Sequence, residues 1–394
     1  MRERLKRAIA RLKSPAFWLV VSFVAVLVVP GIVWDELDED VRSRKLVWEN
    51  RAKAEKPVFQ VRRYQRYPGE FGEYYNDSFP FREYLVWCSN KLTGPLNNFF
   101  NPRVIIGRDG FMFSSDSILK YGDESADYTG KTLWNESREL AIVKRLDHTR
   151  RELAKMGIGF YVVIPPNKMA VYDDKLPEKR RFRKAPVNRA ESLITCAARV
   201  APELKICYLA ETFRAARCKV KYPLFLREDT HWNSLGGYLA VWKLDEMING
   251  HTELPPLESA RIVKEAKVRG GDLRVILGGG TPTVTQKYTV QPPPEFRKVK
   301  SVERGDFHHR EIHNPKARDR RRIWVYRDSF ASEMEPYLGM LFGDVLLLWN
   351  VPLRRVHFQK ARPDIVVLEI VERDLKSLDT FDFESRDGAR MEYL

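Results

Sequence analysis

Asp229-Thr230-His231-Trp232-Asn233 follows an extended segment, YPLFLRE, and stands just ahead of an apolar helical stretch. Residues two apart in an extended loop point the same way, so the Asp229 carboxylate can reach the His231 imidazole and fix its tautomer. That is the orienting half of a catalytic triad. A second segment, Trp324-Val325-Tyr326-Arg327-Asp328-Ser329-Phe330-Ala331, runs an apolar strand into a short polar turn with a helix after it. A serine there sits at the carboxyl end of a sheet strand, near helix N–H groups that can stabilise an oxyanion, and Ser329 is the natural nucleophile. Each segment alone also has a structural reading: Asp229 can satisfy loop backbone, and Asp328 or Ser329 can be an ordinary N-cap.

The surrounding elements must bring these two segments together. Asn135 caps a helix with apolar residues at Leu140, Val143, Leu146, Leu153 and Met156, and Gly157 stops it. A buried strand, 158–164, follows and ends in Pro165-Pro166-Asn167-Lys168, where Lys168 reads as a capping residue. A helix over 186–200, a strand over 204–209 and a helix over 235–248 continue the rhythm. After residue 320 it resumes, with strands at 322–326, 345–348 and 365–371 and a helix near 331–342. Alternating helices and strands predict an α/β domain of three layers around a mainly parallel sheet. Residues 250 to 320, punctuated by Gly-Gly-Asp, Gly-Gly-Gly and Pro-Pro-Pro, read as an irregular insertion of turns and short strands. Ile105 to Phe113 reads as two short strands around an Asp-Gly turn, and Tyr84, Leu85, Trp87, Cys88 and Leu92 as an amphipathic helix.

At the N-terminus a basic tail, 1–13, precedes an uncharged run, 14–34, and an acidic cluster from Asp35 to Asp40. About 20 apolar residues span a bilayer core as a helix, and the flanking bases place the tail on the cytoplasmic side. The expectation is an uncleaved single-pass signal anchor in the inner membrane, a juxtamembrane stalk over 35–66, and a domain over 67–394 in the periplasm. Export excludes nucleic acid as a partner, although the net charge is +15. The clusters Lys179 to Lys184 and Arg318 to Arg322 lie in segments of surface-loop composition, which favours a neutral or weakly acidic polymer over a strongly acidic one. Of the four cysteines, Cys196, Cys207 and Cys218 fall in one short region where an oxidising compartment would allow one bridge. No Cys/His pattern suggests a metal, and no cofactor motif is present.

Asp-Thr-His-Trp-Asn followed by Gly236-Gly237-Tyr238, and later Arg-Asp-Ser-Phe at a strand end, resembles the alginate O-acetyltransferase (AlgX/AlgJ-like) family of SGNH-hydrolase-like proteins. Four further motifs fall in that family's order: Asn76 to Arg82, Gly107 to Phe113, Pro165 to Lys168, and Val367 to Arg373. The resemblance implies Ser329 as nucleophile, His231 as general base and Asp229 as its orienter, moving acetyl groups through an acetyl-serine onto an exported polysaccharide. It also implies an acetyl donor supplied by a membrane-bound O-acyltransferase. Ordinary SGNH hydrolases carry Gly-Asp-Ser, and here Arg327 replaces the glycine. Arg327, Trp232 and Tyr326 are the expected substrate contacts, the arginine for an anionic group and the aromatics for sugar stacking. An acetylesterase of the same fold, or a non-catalytic polysaccharide-binding or assembly protein, are the competing readings.

Overall fold

The computed structural model describes residues 14–36, 54–82, 85, 88–89, 103–115, 124–181, 183–268, 271–277, 285–291, 302–305, 308–358 and 361–384. The basic tail, residues 37–53 of the expected stalk and most of the amphipathic helix expected around Tyr84 to Leu92 lie outside them. The chain divides into two compact units, residues 1–97 with 275–280, and residues 98–274 with 281–394.

In the first unit the uncharged run forms helix α1, Pro15–Glu36. Among the described residues, no helix is long and apolar enough to cross a membrane; the side chains at positions 27, 30, 31 and 33–36 of α1 are not among those described. A second helix, α2, spans Tyr67–Ser78 with Pro68 in its first turn, where the missing N–H does no harm. Tyr67 stacks on Phe71 and meets Phe59 edge-on, and Asp77 accepts the Ala54 N–H at 2.9 Å.

The second unit opens on a hairpin, β1 (Val104–Ile106) and β2 (Met112–Ser114). Its turn needs left-handed backbone at Asp109 (φ 55°) and Gly110 (φ 74°), which is why Asp-Gly stands there. Helix α3 (Glu136–Lys155) starts where Asn135 accepts the Arg138 N–H, and the chain turns at Gly157 (φ 77°) into β3 (Gly159–Ile164). Asn188 and Glu191 form a reciprocal cap on α4 (Arg189–Val200), which leads to β4 (Lys205–Tyr208). Then come α5 (Ala210–Lys219) and α6 (Ser234–Asn249), the latter capped by Asn233.

The segment expected to be an irregular insertion holds an antiparallel pair, β5 (Arg261–Val268) and β6 (Thr285–Gln291), followed by β7 (Val302–Gly305) and β8 (His309–His313). β7 and β8 are not separate from the domain: they extend its main sheet. Beyond them lie β9 (Asp319–Arg327), α7 (Glu335–Leu341), β10 (Phe342–Trp349) and β11 (Ile365–Glu369). The main sheet runs β4-β3-β11-β9-β10-β8-β7. β4, β3, β11, β9 and β10 pair in parallel, and β8 and β7 are antiparallel.

β9 is buried on both faces, with Ile323 and Val325 packing into a core with α5, α6 and α7 while Trp324 and Tyr326 pack into one with α3 and α4. This is the expected three-layer α/β arrangement. It also corrects the expected disulfide. Cys196 lies in the core of one sheet face and Cys207 packs against the core of the other, while Cys218 is exposed at the end of α5, so all four thiols are free. Burial pushes the Cys207 thiol up to about 11, which makes it inert.

Candidate functional site

β9 delivers Arg327, Asp328 and Ser329 to the carboxyl edge of the sheet. The turn after Ser329 is a short 3-10 helix, Phe330–Glu333, and α7 begins separately at Glu335, where a single helix over 331–342 was expected. Pro336 explains the break, because it has no N–H for the Ser332 carbonyl and disfavours helical backbone before it. A full helix dipole therefore does not point at Ser329. Asp328 shapes the turn instead. Its carboxylate accepts the Phe330 N–H at 2.8 Å and the Val371 N–H at 2.7 Å, which fastens the turn to the end of β11.

The structure brings the three residues together. His231 Nδ1 lies 2.7 Å from Asp229 Oδ1, and Nε2 lies 2.7 Å from Ser329 Oγ, a residue 98 positions away. An ionised carboxylate only accepts, so Nδ1 carries the hydrogen and Nε2 is free to accept the Ser329 hydroxyl proton. Asp229 is partly buried, and although desolvation opposes its charge, hydrogen bonds from the His231 ring and backbone and from the Asp272 N–H hold its carboxyl far below the usual range. Burial opposes a charge on His231, but the Asp229 hydrogen bond and the charges of Asp229 and Asp272 outweigh it and raise the imidazole above its ordinary value.

Two contacts set the distance between the halves. Trp232 Nε1 donates to the Phe330 carbonyl at 2.8 Å, and Gly237, on α6, lets the Glu333 carbonyl come so close that a Cβ would lie 2.1 Å from it. Gly237→Ala must therefore push the serine turn away from His231. A misplacement of this kind lowers activity by about 10²-fold, with about 1–3 kcal/mol of stability lost to overpacking. Labelling of Ser329 by a serine-directed sulfonate, followed alongside urea unfolding, separates the two effects.

Asp272 was not anticipated. It stands 43 positions beyond Asp229, and its backbone N–H donates to Asp229 Oδ2 at 3.1 Å. Its own carboxylate accepts the Thr230 N–H at 2.8 Å and the Thr230 hydroxyl at 2.5 Å and sits 3.7 Å from His231 Nδ1. Gly271 permits this approach, since a Cβ there would be 2.2 Å from the Glu228 carbonyl. Burial and the neighbouring Asp229 charge push Asp272 up to about 6. Ligand atoms of Asp229, His231 and Asp272 lie within 4.8 Å of one another, but each is already committed to a hydrogen bond of this network, which suits a proton relay better than a metal. Ionised Asp272 favours protonated His231, and a general base must be neutral. Asp272→Asn should therefore move the acid limb of Ser329 acylation to lower pH; an unmoved limb would show that Asp272 does not sense His231.

The expected substrate contacts are placed differently. Trp232 is 1% exposed, stacked on Phe213, and Tyr326 is 1% exposed with its hydroxyl 2.8 Å from His357 Nδ1. Trp232 is a core residue; Tyr326 is buried as well, although it contributes to the lining of the cleft beside the serine turn. Arg327 is also buried: its guanidinium lies 4.9 Å from the Trp349 ring centre and donates to the Asp328 carbonyl and Ser332 Oγ, bracing the serine turn. A cleft of about 620 Å³ lies beside that turn, lined in part by Arg327, Asp328, Asn350, Arg354, Glu369 and Asp374. Lys168, fully buried, donates to the Met112 and Arg227 carbonyls and so clamps the loop that leads to Asp229; burial presses its ammonium down to about 8. The cluster Arg318 to Arg322 is at the opposite end of β9 from Ser329, where Arg318 pairs with Glu253 and Arg321 with Asp319.

A mostly parallel α/β sheet with a serine at the carboxyl end of its central strand, facing an Asp-x-His loop, defines an SGNH-hydrolase-like protein. The chain belongs to the family of SGNH hydrolase-like domains of the acetyltransferase AlgX, whose model matches residues 104–305. That stretch holds Asp229 and His231 and stops short of Ser329. Relatives include the probable alginate O-acetylase AlgJ of Pseudomonas fluorescens, 28% identical over 208 residues, which is 52% of this chain and 48% of that protein. The probable alginate O-acetylase AlgJ of Pseudomonas syringae pv. tomato is 26% identical over 47% of this chain and 42% of its own length. The chain thus spans about half the length of the curated relatives it matches. Among solved structures, the O-acetyltransferase domain of Pseudomonas putida AlgJ is 19% identical, with a TM-score of 0.42 over 71% of this chain and 93% of that one. Bacillus cereus PatB1 is 15% identical, with a TM-score of 0.48 over 71% and 99%.

Proposed function

We propose that this protein is a polysaccharide O-acetyltransferase that works through an acetyl-serine. The observation that carries the reading is the continuous chain of hydrogen bonds from Asp229 through His231 to Ser329, in a member of this family. His231 Nε2 takes the Ser329 proton as Oγ attacks the acetyl carbonyl; the donor alkoxide leaves with that proton, and Ser329 is left acetylated. A sugar hydroxyl then gives its proton to His231 and takes the acetyl group.

The substrate belongs to the same proposal: an exported polysaccharide, with the acetyl donor supplied by a membrane-bound O-acyltransferase. So does the location, with α1 as a single-pass signal anchor in the inner membrane and the domain in the periplasm. Its support is the uncharged run between a basic and an acidic flank.

The test uses an acetyl ester donor with and without oligosaccharides. Intact-mass analysis should show one acetyl group on the wild-type protein, and chromatography should show acetylated sugar. Free acetate alone, with acceptor present, would favour the esterase. No acetyl-protein and no sulfonate labelling of a folded chain would favour a binding or assembly role.

A further inference from the structure

Arg373 follows β11 by four residues and is 3% exposed. Its guanidinium carbon lies 4.9 Å from the ring centre of Phe330, the residue after the nucleophile, and that ring centre lies 4.9 Å from the His231 ring. Backbone bonds hold the segment in place. Val371 is tied to Asp328 of the serine turn, and the carbonyls of Glu372 and Arg373 accept from Arg189 at 3.4 and 3.3 Å. Within this tightly held setting Arg373 Nη1 is buried and, among the described residues, has no hydrogen-bond acceptor.

A buried guanidinium N–H without an acceptor is expensive to keep. Glu124 is near enough for its charge to act on Arg373, yet makes no hydrogen bond to it, and burial raises the Glu124 carboxyl toward its neutral form. Asp374 is likewise near enough for its charge to act on Arg373, but Nη1 donates to neither carboxylate. An acyl-transfer site has a use for such a group, because charge that is absent in the resting state develops on the acyl oxygen at the transition state. The serine turn supplies little else: it is a short 3-10 helix, and Arg327, where ordinary SGNH hydrolases carry glycine, is turned back onto Ser332 and Trp349.

Resting on the acyl-transfer reading above, we propose that Arg373 is a catalytic residue whose guanidinium stabilises the oxyanion formed when Ser329 attacks the acyl group. As the Ser329 Oγ–C bond forms, the carbonyl π pair moves onto oxygen. Arg373 donates a hydrogen bond to that oxygen and keeps its proton. When the C=O bond re-forms, the leaving alkoxide takes the proton held by His231. The same positive charge opposes protonation of His231, against the larger raising effect of Asp229 and Asp272.

The experiment measures single-turnover acylation of Ser329 in the full chain by a neutral acetyl ester, with no sugar present, for wild type, Arg373→Lys and Arg373→Met. Arg373→Met should slow acylation by about 10²–10³-fold, the usual effect of losing one oxyanion donor, and Arg373→Lys should lose less. The acid limb should move to higher pH in Arg373→Met, a shift that a purely structural role would not produce. Near-wild-type acylation by Arg373→Met would overturn the proposal. In a second assay, now with sugar acceptors, a defect of Arg373→Met confined to transfer onto acidic acceptors would overturn it as well, since that would make Arg373 a carboxylate binder. If Arg373→Met fails to fold, the folded lysine variant decides: an unchanged rate and unchanged pH limb overturn the proposal. Absence of acylation in wild type itself would instead remove the acyl-transfer reading.

Discussion

Ser329→Ala should lose turnover by about 10⁶-fold, the scale seen when a triad nucleophile is removed, while unfolding at nearly the wild-type urea concentration. The hydroxyl makes one hydrogen bond, to His231, so little of the fold depends on it. Asp229→Asn should fall by about 10⁴-fold. An asparagine amide in place of the carboxylate would donate to Nδ1, force the ring hydrogen onto Nε2, and leave nothing to accept the serine proton. Donor-ester cleavage together with acetyl-protein mass reads both effects. A Ser329→Ala protein that still acetylates sugar at the wild-type rate would sink the mechanism.

The largest loss of stability should come from Arg189→Ala. Arg189 and Asp127 are 2% and 0% exposed and pair at 2.9 Å. Asp127 also accepts from Asn167 and from the Thr132 hydroxyl, while Arg189 holds the two carbonyls before Asp374. Removing the arginine strands a buried carboxylate and should reduce the unfolding free energy by about 3–5 kcal/mol, measured by denaturant unfolding. Replacing both partners with apolar residues of similar volume should be much milder, because no unpaired charge remains. Equal losses from the single and double changes would mean that packing, not the charge, dominates.

The parts legible in the sequence are those decided locally. Asn135, Gly157 and Asn188 mark helix ends through their own side chains and backbone, and the apolar alternation of β9 placed Ser329 at a strand end. Asp229 and His231 are two residues apart, so their contact needs no knowledge of the fold. Asp272 reaches the same imidazole only because Gly271 lets two distant turns pack, and in the sequence Gly-Gly-Asp reads simply as a turn. Arg373 was visible within a motif, but the lack of an acceptor on Nη1 belongs to the folded state. Short strands were expected over 250–320, but not that β7 and β8 extend the main sheet, because strands toward a sheet's rim carry charges: His309-Arg310-Glu311-Ile312-His313 has one buried apolar residue. Trp232 and Tyr326, both buried, show the reverse difficulty, since an aromatic near a strand end reads alike in the sequence whether it faces a cleft or the core.

The strand order also governs how the chain is made. β3 borders β4 on one side and β11 on the other, so its second neighbour is synthesised last. Until then Val162, Val163 and Ile164 belong to a half-sheet with an open, apolar edge, the kind of edge that recruits other chains. Such long-range pairing closes slowly. Nascent and truncated forms are therefore the aggregation-prone species, and a stop anywhere between Gln291 and Ile365 leaves an adhesive sheet edge.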